Sequence, residues 1–338
     1  MGSRIDYYFD IDRNATSFTL NADYHIDPAF SPRTEYEFTY RDDDGRLLES
    51  LTGTAGSTTS VSDSFVFDTG AGVAQTRLQF QAADANDGYG FYYYWHVFDG
   101  AREDAAVSIS ATNDTDILFG GSGNDALRGL GDDDWLDGGF GIDRMYGGSG
   151  DDTYVVDNAR DRAIEAQRGG DDAVRSSVSY TLATTANVET LDLTGTRDTS
   201  ATGNTLDNTL AGNRGDNRLV GGIGADHLFG EGGADTFQYR AINESTVSNA
   251  GRDVIEDFRR AQGDEIDLHL IDADATSAGN QAFSFIGSQA FGHEAGQLRA
   301  VYAGANTVVS GDTNGDGRAD FAITLRGHIA LGSGDFDL

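Results

Sequence analysis

Gly120-Gly-Ser-Gly-Asn-Asp-Ala-Leu-Arg128, Gly129-Leu-Gly-Asp-Asp-Asp-Trp-Leu-Asp137, Gly138-Gly-Phe-Gly-Ile-Asp-Arg-Met-Tyr146 and Gly147-Gly-Ser-Gly-Asp-Asp-Thr-Tyr-Val155 run end to end as four blocks of nine residues. The sixth residue of each block is Asp (Asp125, Asp134, Asp143, Asp152), and the eighth is large and apolar (Leu127, Leu136, Met145, Tyr154). A spacing this regular marks a repeat architecture. Glycine tolerates positive φ, so a glycine-rich hexapeptide can turn tightly enough to aim several carbonyl oxygens at one point. The three residues that follow place one apolar side chain between two outward ones, the pattern of a very short half-buried strand.

Loop, strand, loop, strand winds a flattened coil in which two blocks complete one turn. Loops two blocks apart then stack at about one strand spacing, 4.8 Å. This pairs Asp125 with Asp143 and Asp134 with Asp152. Two carboxylates so close repel by roughly 3 kcal/mol at an effective dielectric of 20, so the stack calls for a cation. Calcium suits it, because it takes about six to eight hard oxygen ligands in loose geometry and accepts backbone carbonyls. The oxygen donors expected of this array belong to Gly120, Ser122, Asn124 and Asp125, to Gly129, Gly131 and Asp134, to Gly138, Phe140, Gly141 and Asp143, and to Gly147, Ser149 and Asp152.

A second array starts at residues 203, 212, 221 and 230. Its sixth places hold Asn208, Asn217, Asp226 and Asp235, and its eighth places hold Leu210, Leu219, Leu228 and Phe237. Gly221, Ile223 and Asp226, with Gly230, Gly232 and Asp235, are its expected donors. Asn208 would stack on Asp226, and Asn217 on Asp235. An amide offers a carbonyl oxygen without charge, so these two steps should hold calcium more weakly or stay partly empty. Gly147 and Gly203 are 56 residues apart, which is not a multiple of nine, so the coil breaks register between the arrays. Ala111 to Phe119 reads as a degenerate cap with Asp116 at its sixth place, and Asp161 keeps the frame after Val155.

Outside the arrays, Asp312-Thr-Asn314-Gly-Asp316-Gly317 places oxygen ligands at the first, third and fifth positions of a loop with a turn glycine, as in EF-hand-type loops. Ile323 stands where such a loop ends in Glu, and Asp320 can supply the carboxylate instead.

The 338 residues include 56 acidic and 23 basic side chains, a net charge of −33. That balance excludes nucleic acid and anionic membranes as partners and favours cations. Forty-five glycines against two prolines fit a turn-dense β protein, and the absence of cysteine excludes disulfides and thiolate metal sites. The N-terminus shows neither the basic nor the apolar region of a cleavable signal peptide, and no run of about 18 apolar residues could span a bilayer.

Residues 1–110 carry eight short alternating segments punctuated by Asp44-Gly45, Asp87-Gly88 and Asp99-Gly100, which points to an antiparallel β-sandwich. Phe91-Tyr-Tyr-Tyr-Trp95-His-Val-Phe98 is aromatic on both faces. One face belongs to the core; the other is either covered or a stacking platform for a sugar.

The two arrays resemble those of the repeats-in-toxin (RTX) proteins, as do Asp151-Asp-Thr-Tyr-Val-Val-Asp-Asn158 and Asn187-Val-Glu-Thr-Leu-Asp-Leu-Thr-Gly195 between them. The tail, with Asp253-Val-Ile-Glu-Asp-Phe258, Asp264-Glu-Ile-Asp-Leu268, Gln281-Ala-Phe-Ser-Phe-Ile-Gly287 and Gly311-Asp-Thr-Asn-Gly-Asp-Gly317, resembles the C-terminal module of the serralysin-type secreted proteases. The resemblance covers about residues 111–338 and implies a parallel β-roll over 111–240 with calcium arrays at 120–155 and 203–238, then a β-rich module over 241–338; with the sandwich read from the strand pattern over 1–110, the expected chain is all-β. The resemblance also implies type I secretion, extracellular and without a cleaved signal, through a terminus like Gly334-Asp-Phe-Asp-Leu338. Roughly five to eight calcium ions are expected from loop stacking and ligand number.

No catalytic motif is found. His293-Glu294-Ala-Gly-Gln297 lacks the second histidine of a zinc protease, and neither Gly121-Ser122-Gly123 nor Gly148-Ser149-Gly150 forms a nucleophile elbow. The leading expectation is a secreted, non-enzymatic protein that folds on extracellular calcium and whose sandwich binds a polysaccharide or a cell surface, as an adhesin does. The alternatives are the C-terminal part of a larger secreted hydrolase, protease or lipase, and a subunit of a surface layer.

Overall fold

The computed structural model describes residues 115–338, apart from 167, 168, 185 and the side chain of Ser122, together with the backbone of strands between Ser3 and Ser110. The expected sandwich core and the aromatic faces of Tyr92–Asp99 depend on side chains outside the described residues. Residues Met1–Asp172 and Ala173–Leu338 form two compact units.

In the first unit, alternate repeat strands go to opposite sheets. Asp116–Phe119, Trp135–Asp137 and Thr153–Val156 stack in parallel, with Leu136 level with Leu118 and Tyr154. Ala126–Arg128, Arg144–Tyr146 and Arg162–Ile164 stack likewise, with Met145 level with Leu127 and Ala163. Two nonapeptides therefore make one turn of a parallel β-solenoid.

Each of these strands is three or four residues long, and its inward place is the eighth of the block. Leu118, Leu127, Leu136, Met145 and Tyr154 are fully buried. Burying such a side chain is worth about 1.5–3 kcal/mol. With one inward residue per nine, the core is a single file, and the loops must carry the rest of the stacking.

The second unit repeats the design with less regular steps. Ala173–Ser176, Thr190–Leu193, Thr209–Ala211, His227–Phe229 and Val254–Ile255 form one parallel stack, which Phe321–Leu325 joins. Tyr180–Thr181, Ser200–Thr202, Arg218–Val220, Thr236–Gln238 and Glu265–Asp267 form the opposite one. Its last rung is Phe336–Asp337, so the terminal residues close the coil. Val174, Leu191, Leu210, Leu219, Phe237, Ile255 and Ile266 are fully buried along these stacks.

The solenoid thus continues past residue 240 into the tail. There an antiparallel set, Gln297–Ala303, Asn306–Asp312 and Phe321–Leu325, extends one sheet. Phe283 packs on Phe321 with ring centroids 5.6 Å apart, and Phe285 on Phe336 at 4.9 Å.

The register break has a local cause. Steps of 18 residues (Asp134 to Asp152) give way to one of 20, from Asp152 to Asp172. In the second unit Ala173 pairs with Thr190 and Thr190 with Thr209, a shorter and then a longer step that cancel.

Candidate metal centre

The aspartates of the arrays form columns. The backbone N–H of Asp125 donates to Oδ1 of Asp143 at 2.7 Å, and that of Asp134 to Oδ1 of Asp152 at 2.8 Å. Asp116 donates to Asp134 at 2.7 Å, Asp143 to Asp161 at 3.0 Å and Asp152 to Asp172 at 2.9 Å, which extends both columns. In the second unit the N–H of Asn208 donates to Asp226 at 2.7 Å and that of Asn217 to Asp235 at 2.8 Å, followed by Asp226 to Asp253 at 3.0 Å and Asp235 to Asp264 at 3.1 Å. All four stacked pairs expected from the sequence are brought together.

One oxygen of each carboxylate is thereby used. The other, Oδ2, is buried without a hydrogen-bond partner in Asp134, Asp143, Asp152, Asp226 and Asp235. A buried charged oxygen without a partner is costly. Burial, reinforced by the neighbouring acids Asp152 and Asp116, pushes Asp134 up to about 8 against its backbone hydrogen bond. Burial first, then Asp125 and Asp161, raises Asp143 to about 7; burial likewise raises Asp152 to about 6, and Asp226 and Asp235 to about 7.

The glycine at the first place of each block completes the pocket. A Cβ on Gly129 would lie 1.9 Å from Oδ2 of Asp134 and 2.8 Å from the carbonyl oxygen of Gly147. The corresponding distance is 2.4 Å from Gly138 to Oδ2 of Asp143, and 2.0 Å from Gly147 to Oδ2 of Asp152. The missing side chain leaves a space faced by carboxylate and carbonyl oxygens at Gly129, and by the Asp152 carboxylate and the Tyr154 hydroxyl at Gly147. Such a donor set suits a hard divalent cation with loose geometry, and the fit for calcium is good.

The other expected donors divide by role. Phe140 and Ile223 are 77% and 49% exposed, so these third places can offer only backbone oxygen. Gly232 uses its N–H on the carbonyl of Asn213 at 3.0 Å. Asn124 is exposed and accepts the N–H of Ile142 at 2.8 Å, part of a fifth-place ladder in which Asp133 accepts from Asp151 at 2.7 Å and Asp151 from Asp171 at 2.8 Å. Its bonds run opposite to those of the sixth-place ladder.

The asparagines have closed their own steps. Oδ1 of Asn208 accepts the N–H of Asn204 at 2.8 Å, and its amide donates to the carbonyls of Val188 and Glu189 at 3.1 and 3.2 Å. Asn217 does the same with the N–H of Asn213, at 2.6 Å, and with Oδ1 of Asn213 and the carbonyl of Thr199. Amide protons point at the oxygens that a cation would otherwise gather.

In the tail loop, both oxygens of Asp312 accept backbone N–H groups, from Asn314, Gly315 and Gly317. Asp320 accepts from Thr313 and from the amide of Asn314, while Asp316 accepts from Arg318. The loop is held by these bonds.

Sequence reasoning missed Asp172, Asp253 and Asp264. All three are buried, and all stand two residues before a buried aliphatic side chain, Val174, Ile255 and Ile266. That sixth-and-eighth pattern was the available signal; the first-place glycine five residues before the aspartate is absent, its place being taken by Gln167, Ser248 and Arg259.

Comparison with known proteins places the columns in context. Residues 97–336 match the family model of the peptidase M10 serralysin C-terminal domain. The chain belongs to this family. The serralysin C-terminal domain is the non-catalytic part of its protease, and domains of this type belong to secreted, extracellular proteins. No curated protein sequence matches the chain. Among solved structures, the extracellular lipase LipA from Serratia marcescens is 17% identical, with 72% of this chain and 42% of the lipase covered and a TM-score of 0.28. The chain therefore spans less than half the length of that lipase. The AlgE6R3 subunit of the Azotobacter vinelandii mannuronan C5-epimerase is 16% identical, with 70% of this chain and 80% of the subunit covered and a TM-score of 0.20. Among the described residues no helix is long and apolar enough to cross a membrane.

Proposed function

We propose that this serralysin C-terminal module is a calcium-dependent folding device that leaves the cell by type I secretion and has no catalytic role of its own. The observation that carries the reading is the pair of buried, unpartnered Oδ2 atoms on Asp134 and Asp152, one turn apart in a column. Where calcium is scarce, these oxygens are buried against repulsion, which disfavours the coil. Where it is abundant, Asp125, Asp134, Asp143 and Asp152, with the first-place carbonyls, would hold the ion, and binding free energy becomes folding free energy. Asp226 and Asp235 would do the same on one side of the second array, beyond the steps that Asn208 and Asn217 close.

The cation supplies charge neutralisation and oxygen coordination. The chain supplies the fixed spacing, the fifth-place ladder and the dry core that hold successive loops in register. The test is circular dichroism with scanning calorimetry on chelated full-length protein during calcium titration. Cooperative gain of β signal and a rise in Tm are expected; full β content and an unchanged Tm in chelator would sink the reading.

A further inference from the structure

We infer that the first unit ends in a three-carboxylate calcium site formed by Asp152, Glu165 and Asp172, outside the nonapeptide consensus. The inference rests on the calcium reading of the columns and extends it to a residue type the repeat does not contain. One ligand oxygen from each of the three side chains lies within 4.8 Å of the others. All three are at least nine-tenths buried, with relative exposures of 1%, 9% and 0%. Oδ2 of Asp152 and Oε1 of Glu165 have no hydrogen-bond partner, so two side chains of the cluster each bury a carboxylate oxygen without a donor.

The position of Glu165 explains why it is there. Tyr146 pairs with Ile164, which sets Glu165 level with Gly147, the first residue of a repeat block. In the four blocks from Gly120 to Val155 that place is glycine, and its loop reaches the aspartate in five residues, as does the loop from Val156 to Asp161; here the loop runs seven, from Glu165 to Asp172. A longer loop that does not open on glycine is poorly suited to presenting the tight ring of carbonyls. The glutamate side chain instead reaches into the space that a first-place glycine leaves open. Its remaining oxygen accepts the N–H of Ala166 at 3.1 Å, which fixes the side chain against its own loop. Gly150 N–H to Gly169 carbonyl, at 2.8 Å, ties this loop to the stacked loop of Gly147 further out.

Three carboxylates on one divalent ion give this step more negative charge than the two-carboxylate steps before it. Oxygen-only ligation of that charge favours calcium over softer transition metals. The site would pin the irregular loop to the last regular one and so terminate the column.

The test uses the full chain and calcium alone. Bound calcium per chain, counted after equilibrium dialysis, should fall by one ion in Glu165→Gln, with circular dichroism in saturating calcium showing the coil intact. Asp143→Asn, in the other column, should remove calcium independently, so the double variant loses both contributions. A crystal of the wild-type chain grown with calcium should show an anomalous peak within about 2.3–2.6 Å of Glu165 and Asp152 oxygens. This readout decides the matter if Glu165→Gln fails to fold. Ions between repeat loops with no peak at Glu165, or an unchanged count in a folded Glu165→Gln, overturn this site alone. A wild-type chain that binds no calcium overturns the folding reading as well.

Discussion

The backbone N–H of Asp134 donates to Oδ1 of Asp152 at 2.8 Å, one turn later, while Oδ2 of both residues stays buried without a partner. One half of each carboxylate therefore builds the coil, and the other half opposes it unless, as proposed above, a cation neutralises it. The two halves can be separated experimentally.

Asp134→Asn should have opposite effects in the two conditions. In chelator at about pH 9, above the raised Asp134 value, it removes one buried charge and a repulsion of roughly 3 kcal/mol at an effective dielectric of 20, so Tm should rise. In calcium it removes a charged ligand, and Tm should fall below wild type. Calorimetry in both buffers checks this; shifts of the same sign would exclude the column as a cation site.

The pH dependence follows from the raised carboxyls. Asp134 at about 8, Asp143 at about 7 and Asp152 at about 6 all lie above the ordinary value of 3.8 because of burial. Between about pH 4 and 8 the metal-free folded state therefore binds more protons than the unfolded chain, and its stability falls as pH rises through that window. Metal-free protein should carry more β signal at pH 5 than at pH 8. With calcium the order reverses, because the ion competes with those protons. Dichroism at the two pH values, with and without calcium, reads both signs.

Asn208→Asp replaces an amide that donates to Val188 and Glu189 carbonyls. Without calcium the variant should be destabilised by about 1–3 kcal/mol, the cost of leaving buried acceptors unpaired. Calcium should restore most of it. Urea melts in both buffers decide the point, and a variant as stable as wild type in chelator would contradict the assigned role of Asn208.

Backbone strain offers a contrast within one loop pair. Leu130 and Asp132 adopt φ of 82° and 65° in places where the neighbouring blocks have glycine. Leu130→Gly should be neutral to stabilising, by up to about 1 kcal/mol, because relief of left-handed strain exceeds the added chain entropy. Gly148→Ala should cost more than about 2 kcal/mol, since φ there is 121° and a Cβ would lie 2.3 Å from the Leu130 carbonyl oxygen. Chemical denaturation in saturating calcium compares the two.

The repeat was legible because glycine, aspartate and an apolar residue each answer a separate physical demand at a fixed place. Leu127, Leu136, Met145 and Tyr154 could be assigned to the core, and Asp125 with Asp143 to one column, without coordinates. The coil's continuation was harder to see. Asp253 and Asp264 join their columns after 27 and 29 residues, and loops of that length carry no glycine signature. The sequence marks Asn208 and Asn217 as uncharged members of their columns, but not as donors that close their own steps. An amide's orientation depends on which carbonyls the previous turn presents, and composition does not encode that.

The C-terminal rung has a consequence for the order of events. Phe336 pairs with Ile266 and Asp337 with Asp267, while Asp335 is buried and meets Arg260 at 2.7 Å. The residues that resemble an export address are thus also the keystone of the last turn. One strand cannot lie in its own sheet and against another partner at once, so completing the coil takes these residues out of reach. Phe336 and Asp337 are thus free to pair elsewhere only while the last turn is open.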